Sequence, residues 1–201
     1  MAKRIFDFLL ATFGLLLLWP LFLLVWLVIK IDDGGPVLFH QDRVGKDGII
    51  FKILKFRTMQ VTAPGKGPSV TAYGDIRITR TGLWLRRSKI DEFPQFWNVI
   101  RGDMSFVGPR PEVPRYVALY TEGQRKVLAV RPGITDEASI EFRDEEKLLA
   151  ASNNPERYYI EYCMPRKIAL NLDYAKHASL LRDLGVILRT VGTVWLWRRS
   201  L

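Results

Sequence analysis

FLLATFGLLLLWPLFLLVWLVI, residues 8–29, carries no charged side chain, and only Thr12, Gly14 and Pro20 fall outside the hydrophobic class. The chain has 201 residues and is 48% hydrophobic. Outside this window the hydrophobic share falls to about 43%, ordinary for a soluble domain. The sequence therefore reads as a membrane segment, 1–31, joined to a basic domain, 32–201. Twenty-two apolar residues are long enough for one transmembrane helix. Pro20 sits just past the middle, where it removes a backbone donor. Lys3 and Arg4 precede the window and Lys30 follows it, so the flanking charge suits both ends on the cytoplasmic side. No small-residue cleavage site follows. A re-entrant helix-break-helix turning at Pro20 is the preferred reading. A simple span and a buried core helix are the alternatives.

Thirty Lys and Arg against 21 Asp and Glu give a net charge of +9. That charge alone admits nucleic acid, a membrane surface or a phosphorylated substrate. The apolar window and the lack of a base-reading motif count against nucleic acid. One Cys and two His exclude a disulfide framework and make a zinc site untenable.

Downstream, residues 37–39 and 49–56 read as strands around the Gly45-Lys46-Asp47-Gly48 turn, a hairpin. Residues 62–74 read as a loop, and 112–129 as helical. Arg77, Arg80, Arg86, Arg87 and Lys89 form a basic run with no acid between 77 and 90. Residues 136–146 hold six carboxylates against one Arg. Leu180, Leu184, Ile187, Leu188, Val191, Val194 and Trp195 recur at helical spacing. That C-terminal helix can lie in the membrane interface or pack on the core.

The chemistry-bearing stretch is RRSKIDEFPQFWNVIRGDMSFVGPRP, residues 86–111. Pro94 belongs in a first helical turn, so a helix begins near 90–93 and runs to Gly102. Asp91 and Glu92 then sit at its N-terminus, where free N–H groups stabilise an anion. An ionised Asp can act as a nucleophile, and the same end can hold a phosphate. From these two residues alone, ordinary helix capping is the favoured reading.

The order of KRIFD (3–7), GPVLFHQDRVG (35–45), FKILKFRTM (51–59), IDEFPQFWNVIRGDMSFVGPRPE (90–112) and RPGIT (131–135) resembles the bacterial sugar transferase family, the small monotopic phosphoglycosyl transferases. The resemblance implies a single α+β domain, mainly helical, held on one leaflet by the re-entrant helix, with a small hairpin and interfacial amphipathic helices. It implies transfer of a phosphosugar from a UDP-sugar to polyprenyl (undecaprenyl) phosphate, releasing UMP, with Mg²⁺ as cofactor. It places the protein at the bacterial cytoplasmic membrane, facing the cytosol among membrane lipids, and is compatible with an oligomer.

By motif, Asp91 is the implied nucleophile and Glu92 its partner, handling a proton or assisting the metal. Mg²⁺ is expected on Asp91 and the diphosphate, with Glu92 as a further ligand. Arg110, stiffened by Pro109 and Pro111, is the chief phosphate-binding candidate. Arg86 matches a basic position of the family five residues before Asp91, and Arg131, Lys52, Lys55 and Arg57 are weaker candidates, each also readable as a solvated surface charge. Two departures stand out. RPGIT continues as Asp136-Glu137-Ala138-Ser139 where many relatives have Gly-Trp-Ala-Gln, and the break carries Trp19-Pro20 in place of Ser-Pro. The competing function is a membrane-anchored, non-catalytic phosphate- or lipid-binding protein.

Overall fold

A computed structural model describes residues 1–60 and 73–197. Most of the loop read at 62–74, and Arg198-Arg199, lie outside those residues. In chain order the elements are α1 (Ala2–Asp33), β1 (Leu38–Val44), β2 (Ile50–Phe56), α2 (Arg80–Ser88), α3 (Gln95–Arg101), β3 (Ser105–Val107), α4 (Pro114–Val117) and α5 (Glu122–Arg125). They continue with β4 (Gly133–Thr135), α6 (Glu137–Glu141), α7 (Glu145–Ala150), α8 (Pro155–Tyr158), α9 (Met164–Lys176) and α10 (Leu180–Trp197). The architecture is mainly helical with two small two-stranded sheets.

α1 is one unbroken helix of 32 residues, about 48 Å long. Pro20 lies inside it, which corrects the expected helix-break-helix. A proline lacks only its own N–H and crowds the turn before it, so a helix can tilt there and keep helical dihedrals. Gly34, at φ 70°, ends the helix, and its N–H returns to the Lys30 carbonyl at 3.1 Å.

One stripe of α1 is packed against the body along its whole length. Lys3 pairs with Asp183 of α10. Arg4 donates to the Val99 and Ile100 carbonyls at the end of α3. Asp7 accepts from the Ser105 hydroxyl at 2.8 Å and the Phe106 N–H at 3.2 Å. Ala11 joins Ile53, Val99 and Met104 in one core cluster. Val25 and Ile29 join Phe56, Leu85 and Ile90 in another. Each such fully buried aliphatic contributes about 1.5–3 kcal/mol. The opposite face, including Leu9, Phe13, Leu16, Leu17, Trp19, Leu23, Leu24 and Trp26, is apolar and exposed.

β1 and β2 pair antiparallel from Leu38↔Phe56 to Val44↔Ile50. The expected hairpin is present, and its first strand runs five residues beyond Phe39, to Val44. β3 and β4 pair in parallel, Ser105 opposite Gly133 and Val107 opposite Thr135. A Cβ on Gly133 would lie 2.1 Å from the Gly108 nitrogen, so this backbone approach requires glycine.

The main core gathers Tyr116, Val117, Tyr120, Leu149, Tyr159, Met164 and Ile168 around α9, with Val44 of the hairpin. The helix read over 112–129 is instead two short helices and a 3-10 turn. Thr121 caps a new helix there with a full capping box to Gln124, so one helix ends and another begins within the expected stretch. In α10, Val186 is buried and Ile187 packs beside it, while Leu181, Leu184, Leu188 and Val191 are exposed. The helix therefore separates a core-facing side from an outward apolar stripe.

Candidate active site

Asp91 and Glu92 lie in a 3-10 turn, Ile90–Glu92, between α2 and α3. Lys89, at φ 59°, closes α2 and opens this turn. Pro94 immediately precedes α3 in helical dihedrals, where its missing N–H breaks no bond. Both carboxylates are buried, Asp91 at 5% exposure and Glu92 at 8%. Asn98 secures α3 to the hairpin by accepting from the Leu54 N–H at 3.0 Å and donating to the Lys52 carbonyl at 2.9 Å.

The two acids are electrostatically unlike. Glu92 Oε1 accepts from Lys55 Nζ at 2.8 Å and from the Arg110 guanidinium, which also reaches Oε2 at 3.3 Å. Burial pushes the Glu92 carboxyl up, but Arg110 and Lys55 outweigh it and hold it well below the usual carboxylate range. Asp91 Oδ1 is buried with no hydrogen-bond partner. Burial raises the Asp91 carboxyl, Lys55 opposes this, and the Glu92 charge adds to it. Glu92 likewise raises the Arg110 guanidinium, and burial lowers the Lys55 ammonium. The turn thus holds one anchored carboxylate and one without a bonded partner on its buried oxygen. The second is the better placed to meet an electrophile or a cation.

The Gly108–Glu112 loop that carries Arg110 is fixed at every residue. Gly108 N–H donates to the Thr135 carbonyl at 3.1 Å, and Gly133 N–H to the Pro109 carbonyl at 3.0 Å. Arg110 N–H donates to Asp136 Oδ2 at 3.0 Å. Arg43 donates to the Pro111 carbonyl at 3.0 Å, and Val44 N–H to the Glu112 carbonyl at 2.9 Å. Asp136 is itself buried, at 1% exposure. It accepts from Ser139 N–H at 2.6 Å and Asn171 Nδ2 at 2.9 Å.

The other sequence candidates are spread out. Lys55 and Lys52 stand three apart on β2, so they face opposite sides of the hairpin. Lys55 turns inward to Glu92, and Lys52 is exposed. Arg57 is buried with its guanidinium against Gly35. Arg131 is exposed and donates to the Gly102 carbonyl at 2.9 Å. Arg86 pairs with Glu146 of α7 and still acts electrostatically on Asp91. Arg43, Asn98 and Asp136 escaped the sequence reading. Arg43 and Asn98 lie inside quoted motifs, and Asp136 marks the departure after RPGIT, but none had a local signature of its long-range partner.

The sequence model described as bacterial sugar transferase matches residues 1–197, from α1 to the end of α10. The chain belongs to the bacterial sugar transferase family. Among relatives of this sugar transferase, a UDP-glucose:undecaprenyl-phosphate glucose-1-phosphate transferase of Caulobacter vibrioides is 39% identical, across 96% of this chain and 69% of the relative. The exopolysaccharide production protein ExoY of Rhizobium meliloti is 36% identical, across 100% of this chain and 88% of its own. A UDP-N-acetylgalactosamine-undecaprenyl-phosphate N-acetylgalactosaminephosphotransferase of Aeromonas hydrophila is also 36% identical, but the match spans only 43% of that longer protein.

Proposed function

We propose that this sugar transferase moves a phosphosugar from a UDP-sugar to undecaprenyl phosphate through a covalent intermediate on Asp91. The observation that carries the reading is the asymmetry of the dyad: Glu92 is bound by Lys55 and Arg110, while the buried Asp91 oxygen beside it has no partner. In the first step an Asp91 oxygen attacks the β-phosphorus of the UDP-sugar. The bond from that phosphorus to the bridging oxygen breaks, and UMP leaves with the electron pair. In the second step an oxygen of undecaprenyl phosphate attacks the same phosphorus, and the bond to Asp91 breaks. This restores the carboxylate and yields the polyprenyl diphosphate sugar.

Arg110 is suited to hold the diphosphate, because its loop is rigid and its fork bonds two oxygens at once. As Arg110 engages phosphate, Glu92 loses part of its counter-charge. Its carboxyl then rises toward a range where it takes the proton of the incoming lipid phosphate. Arg86 is a second phosphate ligand once released from Glu146.

Magnesium fits this donor set in a limited way. Among the described residues no cluster of three or more His, Cys, Asp or Glu exists. Magnesium, however, commonly binds through one or two carboxylates plus substrate phosphates. Asp91 is the protein ligand, with its orphaned oxygen as the observation in favour; Glu92 has both oxygens taken. The ion when bound supplies positive charge that favours ionised Asp91 and offsets the charge on the departing UMP.

The membrane reading is monotopic. α1 touches the same body near both of its ends, and a polar body cannot follow a helix through hydrocarbon. The outward apolar face of α1 and the Leu181-Leu184-Leu188-Val191 stripe of α10 enter one leaflet, on the cytosolic side of the inner membrane. A soluble and a lipid substrate then meet at headgroup depth.

A panel of UDP-sugars with undecaprenyl phosphate and Mg²⁺, read by UMP release, tests the activity. Release from at least one sugar nucleotide is expected. Binding of the lipid phosphate with no UMP from any member would favour the non-catalytic reading.

A further inference from the structure

The notable group outside the dyad is Asp136. It directly follows RPGIT, and it is almost completely buried. Its carboxylate is used on both sides. Oδ1 accepts from Ser139 N–H and so caps α6. Oδ2 accepts from Asn171 Nδ2 of α9 and from the Arg110 backbone N–H. Capping needs only one oxygen and is served equally by Ser or Asn. A second oxygen aimed at the Arg110 amide is a separate function. It fixes the backbone of the residue whose guanidinium reaches Glu92. The same charge also raises the Arg110 guanidinium.

We infer that Asp136 is the positioning residue for Arg110, orienting its guanidinium toward Glu92 and the substrate diphosphate through the backbone bond. The inference rests on Arg110 being a diphosphate ligand. It differs from a purely structural role because its whole effect on turnover passes through one side chain.

The test is a double-mutant cycle on the full chain, with UMP release in single turnover and thermal unfolding as readouts. Asp136→Asn keeps the volume and the α6 cap but turns an amide toward the donors Arg110 N–H and Asn171 Nδ2. Asp136→Ser keeps the cap and removes the second oxygen altogether. Each is expected to lower turnover about 10- to 100-fold, the usual effect of removing a group that orients a working residue. In an Arg110→Ala background the same substitutions are expected to cause little further loss, since coupled residues are non-additive. Equal fold-losses in both backgrounds overturn the inference, as does full activity of both Asp136 variants beside an inactive Arg110→Ala. Full activity of Arg110→Ala alone overturns the diphosphate assignment, and the inference with it. If Asp136→Asn unfolds early, Asp136→Ser decides by the same criteria.

Discussion

Glu92 has two cations bonded to its oxygens, and Asp91 Oδ1 has no bonded partner at all. Isosteric neutralisation of these neighbours should therefore act in opposite directions on stability. The raised Asp91 carboxyl binds its proton more tightly folded than unfolded. That contribution is present below the unfolded carboxylate range and vanishes as pH rises through the folded value. At neutral pH the Asp91 charge is a burden, so Asp91→Asn is expected to raise Tm by about 2–4 °C, the shift from about 1 kcal/mol in a domain this size. The lowered Glu92 carboxyl behaves conversely. Its stabilisation is present above the unfolded value and lost as pH falls through the folded one. Glu92→Gln leaves two partly buried cations without their anion and should destabilise by about 3 kcal/mol. Scanning calorimetry of both variants at neutral pH checks the pair; a Tm drop in Asp91→Asn would contradict it. The acid limb of kcat/KM should also lie above the ordinary carboxylate range, because in the free enzyme, before Mg²⁺ and the diphosphate arrive, burial raises the Asp91 carboxyl. The sequence singled out Asp91 and Glu92 but did not show this contrast, since Lys55 and Arg110 approach from positions 37 and 18 residues away.

At the scale of elements, what was legible followed from local pattern. The β1–β2 hairpin announced itself through alternation and the Gly45–Gly48 turn, with Asp47 and Gly48 at φ 56° and 80°. α3 begins at Gln95, later than the expected 90–93, and Asp91 and Glu92 lie in a separate 3-10 turn before it; the end of α3 was legible from Gly102 at φ 92°. β3 and β4 were not legible, because two three-residue strands paired in parallel carry no periodicity of their own. The loop of Arg110 hangs from that pairing, and Gly133→Ala should disrupt it. The added Cβ meets backbone atoms of Gly108, which cannot move as a side-chain tip would. A Tm loss with greatly reduced UMP release is expected; unchanged activity would show that the β3–β4 pairing is dispensable. In α1, continuity through Pro20 was missed because a missing N–H suggests a break, whereas packing along the stripe supports the helix on both sides.

For the whole molecule, the question is how the body sits against the bilayer. Lys3, Arg4 and Asp7 dock one end of α1, and Val25 and Ile29 dock the other. Single cysteines at Lys3 and Gly34, in a Cys163→Ala background, should label from the same face of sealed vesicles. Labelling from opposite faces would contradict a one-leaflet arrangement. The apolar window forecast the long apolar helix. That its inner stripe is part of the protein core depended on partners up to 180 residues away and was not readable locally. On the proposed mechanism, this body forms a covalent bond to its substrate at Asp91. Intact mass of the full chain, after incubation with an accepted UDP-sugar and Mg²⁺ but no lipid acceptor, tests it most directly. The expected result is an adduct of sugar-phosphate mass that undecaprenyl phosphate discharges and that Asp91→Asn never forms. UMP release that requires the lipid, with no adduct at any time, would contradict it.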